Sequence, residues 1–244
     1  MIFLFSGGNL KKMSLFHWIL LLVFPILGIN LYATVGEIFW LKQATQLLFI
    51  MGILAIYLKQ KKRPRINECC FIVFFFLAKF AEFFAISGNY ELLSLFFYIL
   101  AFIALSREVI SQTKREKASK VMLLYSFLLF VINAYLLFTH LLELKSYISS
   151  DFRFTAYIVY YLNLLILGVI SLIYYLNSYS EKSIYCVTLV LAFVFADVFK
   201  DAAHFYMQDL AILIIGNLLW FIGLIFSLLF FLTPERKLRL MDLI

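Results

Sequence analysis

Six ionisable side chains stand inside apolar stretches of this 244-residue chain: Lys42, Lys79, Glu82, Asp197, Lys200 and Asp201. Placing such a group at bilayer depth costs ~2.5–3.5 kcal/mol on insertion scales, so each one marks a site and requires a partner. Lys79 and Glu82 are three residues apart. Asp197, Lys200, Asp201 and His204 follow i, i+3, i+4 and i+7 spacing, which is one face of a helix. Tyr157, Tyr160 and Tyr161 form a polar-tipped stripe on another. Two carboxyls, each beside a lysine, can differ in protonation and divide acid and base roles. That chemistry suits hydrolysis of an acid-labile bond through an oxocarbenium-like state, one group giving a proton and the other stabilising charge or activating water. Glu82 and Asp197 are the expected catalytic pair. Lys79, Lys200, Asp201, His204, Tyr157 and Tyr161 are the expected substrate contacts, with no metal and no cofactor.

Other chemistries lack their residues. There is no G-x-S-x-G, no H-E-x-x-H and no glycine loop for phosphate. Three histidines, His17, His140 and His204, are too few for a multi-histidine metal site. Cys69, Cys70 and Cys186 lie in apolar surroundings and read as small buried hydrophobes.

The elements that must position these groups follow from hydropathy. The chain is 65% apolar and 14% charged, against roughly 45–50% and about 25% in soluble domains. This excludes a soluble enzyme, a disulfide scaffold and a disordered tail. Apolar runs fall near 14–34, 39–58, 68–87, 91–107, 120–140, 154–177, 183–206 and 210–232, the fourth being the shortest. They lack the alternation of barrel strands, so they predict an all-α membrane protein with eight transmembrane helices in one compact bundle. Residues 1–13 and 233–244 are expected as cytoplasmic segments flanking the transmembrane domain 14–232. The first run is too long for a signal-peptide core and no small-residue cleavage site follows it, so it reads as a retained helix, kinked at Pro25.

Counting Lys and Arg by loop puts 16 on one side and 2 on the other. The positive-inside rule then places a multi-pass protein in the cell membrane with both termini cytoplasmic. The net charge of +7 is thereby a topology signal rather than a sign of nucleic acid as a partner. Glu82 lies 14 residues beyond Glu68 and Asp197 lies 15 beyond Lys182, ~21 and ~22 Å along their helices. Both carboxyls are therefore expected at one level, in the outer half of the bilayer.

Blander roles are open to the same residues. Lys79–Glu82 and Asp197–Lys200 serve equally as ion pairs that hold a bundle in register, and Lys42 and His204 as snorkelling groups. Asn133, Asn163 and Asn217 are expected to hydrogen-bond between helices. An internal echo, with Lys79 and Glu82 each 118 residues before Asp197 and Lys200, suggests two parallel four-helix halves whose sites face each other.

The stretch Phe193-Val-Phe-Ala-Asp197-Val-Phe, followed by Asp209–Phe231, resembles the end of the YhhN-like (lysoplasmalogenase) family of integral membrane proteins. Lys79-Phe-Ala-Glu82-Phe-Phe, then Leu92–Leu105, occupies the place of that family's other motif, with Glu82 where Asp is usual, Ala196 where Ser is common and Ser106 near an expected His. The resemblance implies an eight-helix fold, a membrane lipid or lysophospholipid as partner, and cleavage of the vinyl ether of lysoplasmalogens by Glu82 and Asp197 with release of an aldehyde. Two alternatives stand beside it. One is a small transporter, disfavoured because the cytoplasmic helix ends show no matching buried charges. The other is a non-catalytic lipid-binding or sensory bundle. The oligomeric state is left open.

Overall fold

The computed structural model describes residues 15–61, 63–84, 88–113, 120–148, 150–178, 180–207 and 209–235. The described chain forms eight α-helices: α1 (Leu15–Val35), α2 (Phe39–Gln60), α3 (Ile66–Phe83), α4 (Gly88–Gln112), α5 (Lys120–Lys145), α6 (Asp151–Ser178), α7 (Glu181–Asp201) and α8 (Leu210–Leu232). A π-helical turn, Ala202–Met207, continues α7. Local chemistry sets several boundaries. Ser180 caps α7 by accepting from the Ser183 N–H while the Ser183 hydroxyl accepts from the Ser180 N–H. Asp209 caps α8 by accepting from the Ala211 N–H at 2.8 Å. Between α1 and α2 the chain reverses through Glu37, which takes a positive φ of 54°.

Among the described residues six helices are long and apolar enough to cross a membrane: α2, α6 and α8, α4 from Tyr90, α5 from Phe127, and α7 with its π turn to Tyr206. The apolar stretch Leu22–Val35 of α1 is shorter, and α3 carries three charges, Glu68, Lys79 and Glu82. The fourth helix is not the shortest, as its apolar run implied, but extends over 25 residues. The run is interrupted by Arg107 and Glu108, yet the helix continues, because Arg107 turns outward while Glu108 is held by Arg65 at 2.6 Å and by Asn67 and Gln112.

Helices α7 and α8 pack most extensively, followed by α3 with α4. Across the two halves α4 packs on α6 and α2 on α8, the pairings that a two-fold relation between the halves would generate. Helix α5 leans on α6 and on little else. Lipid chains are as apolar as leucine, so helices in a membrane associate through close packing and hydrogen bonds. Gly216 and Gly223 supply that closeness on α8: a Cβ at Gly216 would lie 3.3 Å from the Ala196 carbonyl oxygen, and one at Gly223 would lie 2.7 Å from the Phe193 ring. Asn163 reaches the Ile99 carbonyl across α6 and α4, and Asn217 reaches Thr34 across α8 and α1. Asn133 instead gives its amide to Leu129 on its own helix.

The core is a column of rings. Phe75 lies 5.2 Å from Phe193, 5.4 Å from Phe71 and 6.0 Å from Trp220, and Phe231 continues the column from Phe71 to Tyr57. Beneath it, at the end where α2 meets α3, Glu68 is fully buried and accepts from Tyr57 at 2.6 Å and from Lys61, which also donates to the Phe231 carbonyl. This overturns the expectation that this end has no buried charges. Glu68 and Glu108 sit at the margins of apolar runs and read as loop residues, whereas the helices run past them. Segments 1–13, 114–119 and 236–244, together with Lys62, carry much of the basic charge behind the expected orientation and lie outside the described residues.

Gly223→Leu is expected to destabilise the protein by about 1–3 kcal/mol, the usual cost of overpacking, because Phe193 is 2% exposed and wedged among Phe71, Phe75 and Phe102. Thermal unfolding in detergent reads the loss. An unchanged midpoint would show that α7 and α8 separate freely.

Candidate functional site

Two adjoining cavities, of about 470 and 350 Å³, occupy the end of the bundle opposite Glu68. Glu82 from α3 and Asp197 and Lys200 from α7 line both. The larger is floored by the rings of Phe75, Phe102, Phe193 and Trp220, so its polar groups stand on an apolar base. All eight residues expected from the sequence line one cavity or both: Lys79 the larger, Tyr157, Tyr161 and Asp201 the smaller, and Glu82, Asp197, Lys200 and His204 the two together.

Glu82 is the focus of the charge. One carboxylate oxygen accepts from Lys79 at 2.6 Å and the other from Lys200 at 3.0 Å. The first contact is the i, i+3 pair read from the sequence. The second departs from it: Lys200 reaches across from α7 to α3 and serves Glu82 rather than Asp197 on its own helix. The geometry explains the choice. Asp197 already accepts from the Tyr160 hydroxyl at 2.5 Å, and Glu82, with two free oxygens, can take two ammonium groups. Lys79 is enclosed, with 6% of its side chain exposed and its ammonium 5.1 Å from the centre of the Trp220 ring, whereas Lys200 is half open to the cavity mouth.

The tyrosine stripe of α6 has a carboxylate for every hydroxyl. Tyr157 donates to Glu91 on α4 at 2.9 Å, Tyr160 to Asp197 and Tyr161 to Asp201. His140 of α5 joins the last pair, its Nε2 lying 3.3 Å from both the Tyr161 hydroxyl and the Asp201 carboxylate. Asp201 is thus turned toward α5 and α6 and away from the larger cavity. Arg153 stands 3.7 Å from Glu91 at the rim.

A third wall is neutral and polar. Asn217 donates to Thr34 at 3.1 Å, and Gln43, Gln46 and Trp220 complete the lining on α2 and α8, with the buried Asn30–Thr45 hydrogen bond outside the lining. The Gln43 and Gln46 side-chain oxygens and the Trp220 indole nitrogen are buried without a hydrogen-bond partner among the described residues. Lys42 also lines the larger cavity and has no ion-pair partner among the described residues, while the carboxylates of Glu37, Glu82, Asp197 and Asp209 share that lining with Lys42, Lys79 and Lys200.

Sequence reasoning did not place Gln43, Gln46, Tyr98, Glu91 or His140 at the site. The spacing of Lys42, Gln43 and Gln46 in an otherwise apolar helix was a usable signal. No spacing connects His140 with Asp201, because the link is between helices.

The arrangement presents two half-buried carboxyls in unlike surroundings, one between ammonium groups and one under a phenol, above an aromatic floor. Comparisons of the chain with family models, with curated proteins and with solved structures find no match.

Removing one member of a buried ion pair strands the other, which costs more than the pair itself contributes. Glu82→Gln is therefore expected to cost at least about 2 kcal/mol, because it strands the enclosed Lys79, and the double variant Lys79→Met/Glu82→Gln to cost less than Glu82→Gln alone, since Lys200 can turn to solvent. Denaturation midpoints of the two variants check the order. The reverse order would show that Lys79 is held by the Trp220 ring rather than by Glu82.

Proposed function

We propose that this protein is a membrane-embedded hydrolase of the YhhN-like type, cleaving the vinyl ether of lysoplasmalogen-class lysophospholipids with Glu82 and Asp197. In this reading all eight helices span the membrane, both termini are cytoplasmic and the paired cavities open toward the outer headgroups. One observation carries it: the two carboxyls line the same two cavities yet have different partners, Lys79 and Lys200 for Glu82 and Tyr160 for Asp197.

Unlike environments are what divide an acid from a base. Asp197, with no ion-pair partner among the described residues, is the proton donor. It delivers its proton to the outer carbon of the vinyl ether, and the electrons of the double bond leave an oxocarbenium ion at the carbon bonded to oxygen. Glu82, charged between its ammonium groups, faces that cation and orients the water that attacks it. As the hemiacetal forms, the attacking water gives one proton back to the site; the hemiacetal then breaks its carbon–oxygen bond to the glycerol, its hydroxyl proton passing to the departing glycerol oxygen, and releases an aldehyde and a head group freed of its chain. Lys42 suits the phosphate, because its charge is not taken up by a carboxylate among the described residues. The aromatic floor suits the apolar atoms next to the reacting bond.

A carrier is the second reading, and the buried charges around Glu68 remove the earlier argument against it. The ring column from Trp220 through Phe75 and Phe71 to Tyr57 lies between the two charged ends, which favours a site reached from one side. A non-catalytic lipid binder would share the cavity and lack turnover.

Purified protein incubated with ether and ester lysolipids separates the three. Aldehyde release from the vinyl ether substrate alone is expected. Asp197→Asn should abolish it and Tyr160→Phe should slow it about a hundredfold, the scale of a misplaced general acid, both without loss of folding. Full activity of Asp197→Asn would falsify the assignment, and bound lipid with no product would leave the binder.

A further inference from the structure

A third cavity, of about 330 Å³, lies between α5, α6 and α7, apart from the polar pair. Its walls are Leu129, Phe130 and Leu137 of α5, Leu164 of α6, and Val190 and Val194 of α7, among others. Two of the polar residues on it bond within their own helices: Asn133 donates one N–H to the Leu129 carbonyl at 2.7 Å and Ser171 donates to the Gly168 carbonyl at 2.8 Å. The other two, His140 and Tyr161, are bonded to Asp201, and Tyr161 also lines the smaller polar cavity. The crevice is thus apolar along its length and polar at the one place where it adjoins the polar site.

We infer that this crevice holds the hydrocarbon chain of a single-chain lipid whose head group lies in the polar cavity, with Tyr161 and His140 at the junction. The inference rests on the reading of the site as one for lysolipids. The polarity gradient is that of a single-chain amphiphile. Its long walls offer water few partners, since most of the lining is apolar. Access is built in. Helix α5 leans on α6 and barely touches α7, so the slot between α5 and α7 faces the hydrocarbon from which a chain would slide. Gly168 completes the wall, and a Cβ built there meets nothing within 4 Å. The glycine leaves room that a side chain would fill without clash.

The test uses full-length protein in vesicles and a lysophospholipid carrying a diazirine midway along its chain. Labelling is expected on the α5, α6 and α7 peptides that line the crevice. Gly168→Phe, and the smaller Gly168→Leu, should cut that labelling and raise KM at least tenfold with little change in kcat, both variants keeping their thermal midpoint. Gly28→Phe on α1, where a Cβ also meets open space, should change neither. Labelling spread evenly over all helices, or labelling and KM unchanged in folded Gly168→Phe, would overturn the inference. So would equal crevice labelling by a two-chain phospholipid probe. Labelling does not depend on turnover, so crevice labelling without aldehyde release would leave this inference standing and sink the hydrolase, and aldehyde release with labelling elsewhere would do the opposite.

Discussion

Charge in a medium of low dielectric has to be compensated within the protein, and in this bundle one carboxylate gathers the compensation from two helices. Glu82 takes the ammonium of Lys79 on α3 and that of Lys200 on α7. Each of those groups alone would be costly at bilayer depth. Together they form a bridge across a cavity that apolar side chains would otherwise close. Such a bridge need not stabilise the fold relative to a well-packed apolar substitute. What it does is hold two helices at a fixed separation around polar space.

The other polar groups obey the same rule with neutral donors. Three hydroxyls of α6 meet three carboxylates drawn from α4 and α7, so α6 is fixed in rotation by hydrogen bonds rather than by shape alone. Under them the phenylalanine column fills the centre, where each close ring pair adds roughly 0.5–1.5 kcal/mol beyond its buried area. At the far end Tyr57, Lys61 and Glu68 form a second compensated cluster tied to the end of α8. A rigid, sealed middle with a polar chamber above it is the architecture of a site, and the two acids in that chamber differ only because their neighbours do.

Helix α5 is the exception that gives the molecule a side door. It adds little to the core, exposes most of its apolar surface, and contributes His140 at the one point where it matters to the chamber. Loose attachment is affordable for a helix solvated by lipid, since separating it from α7 exposes hydrocarbon to hydrocarbon. The crevice it leaves is continuous in chemistry with the chamber, through Tyr161.

Much of this was legible in the chain. Eight apolar runs gave eight helices because lipid offers the backbone no other partner, and the helix boundaries moved mainly where a charge at the margin, such as Glu108, proved to be bound rather than solvated. The i, i+3 contact of Lys79 with Glu82 and the convergence of Glu82 and Asp197 were legible too, because helical spacing and rise are fixed numbers. The partner of Lys200, the carboxylate owed to each tyrosine, the entry of His140 and the gap beside Gly168 were not. Those depend on how helices rotate and lean against one another, which is decided by packing between residues distant in sequence. The sequence by itself determined where charge must be hidden; only the tertiary structure decided which groups hide it together.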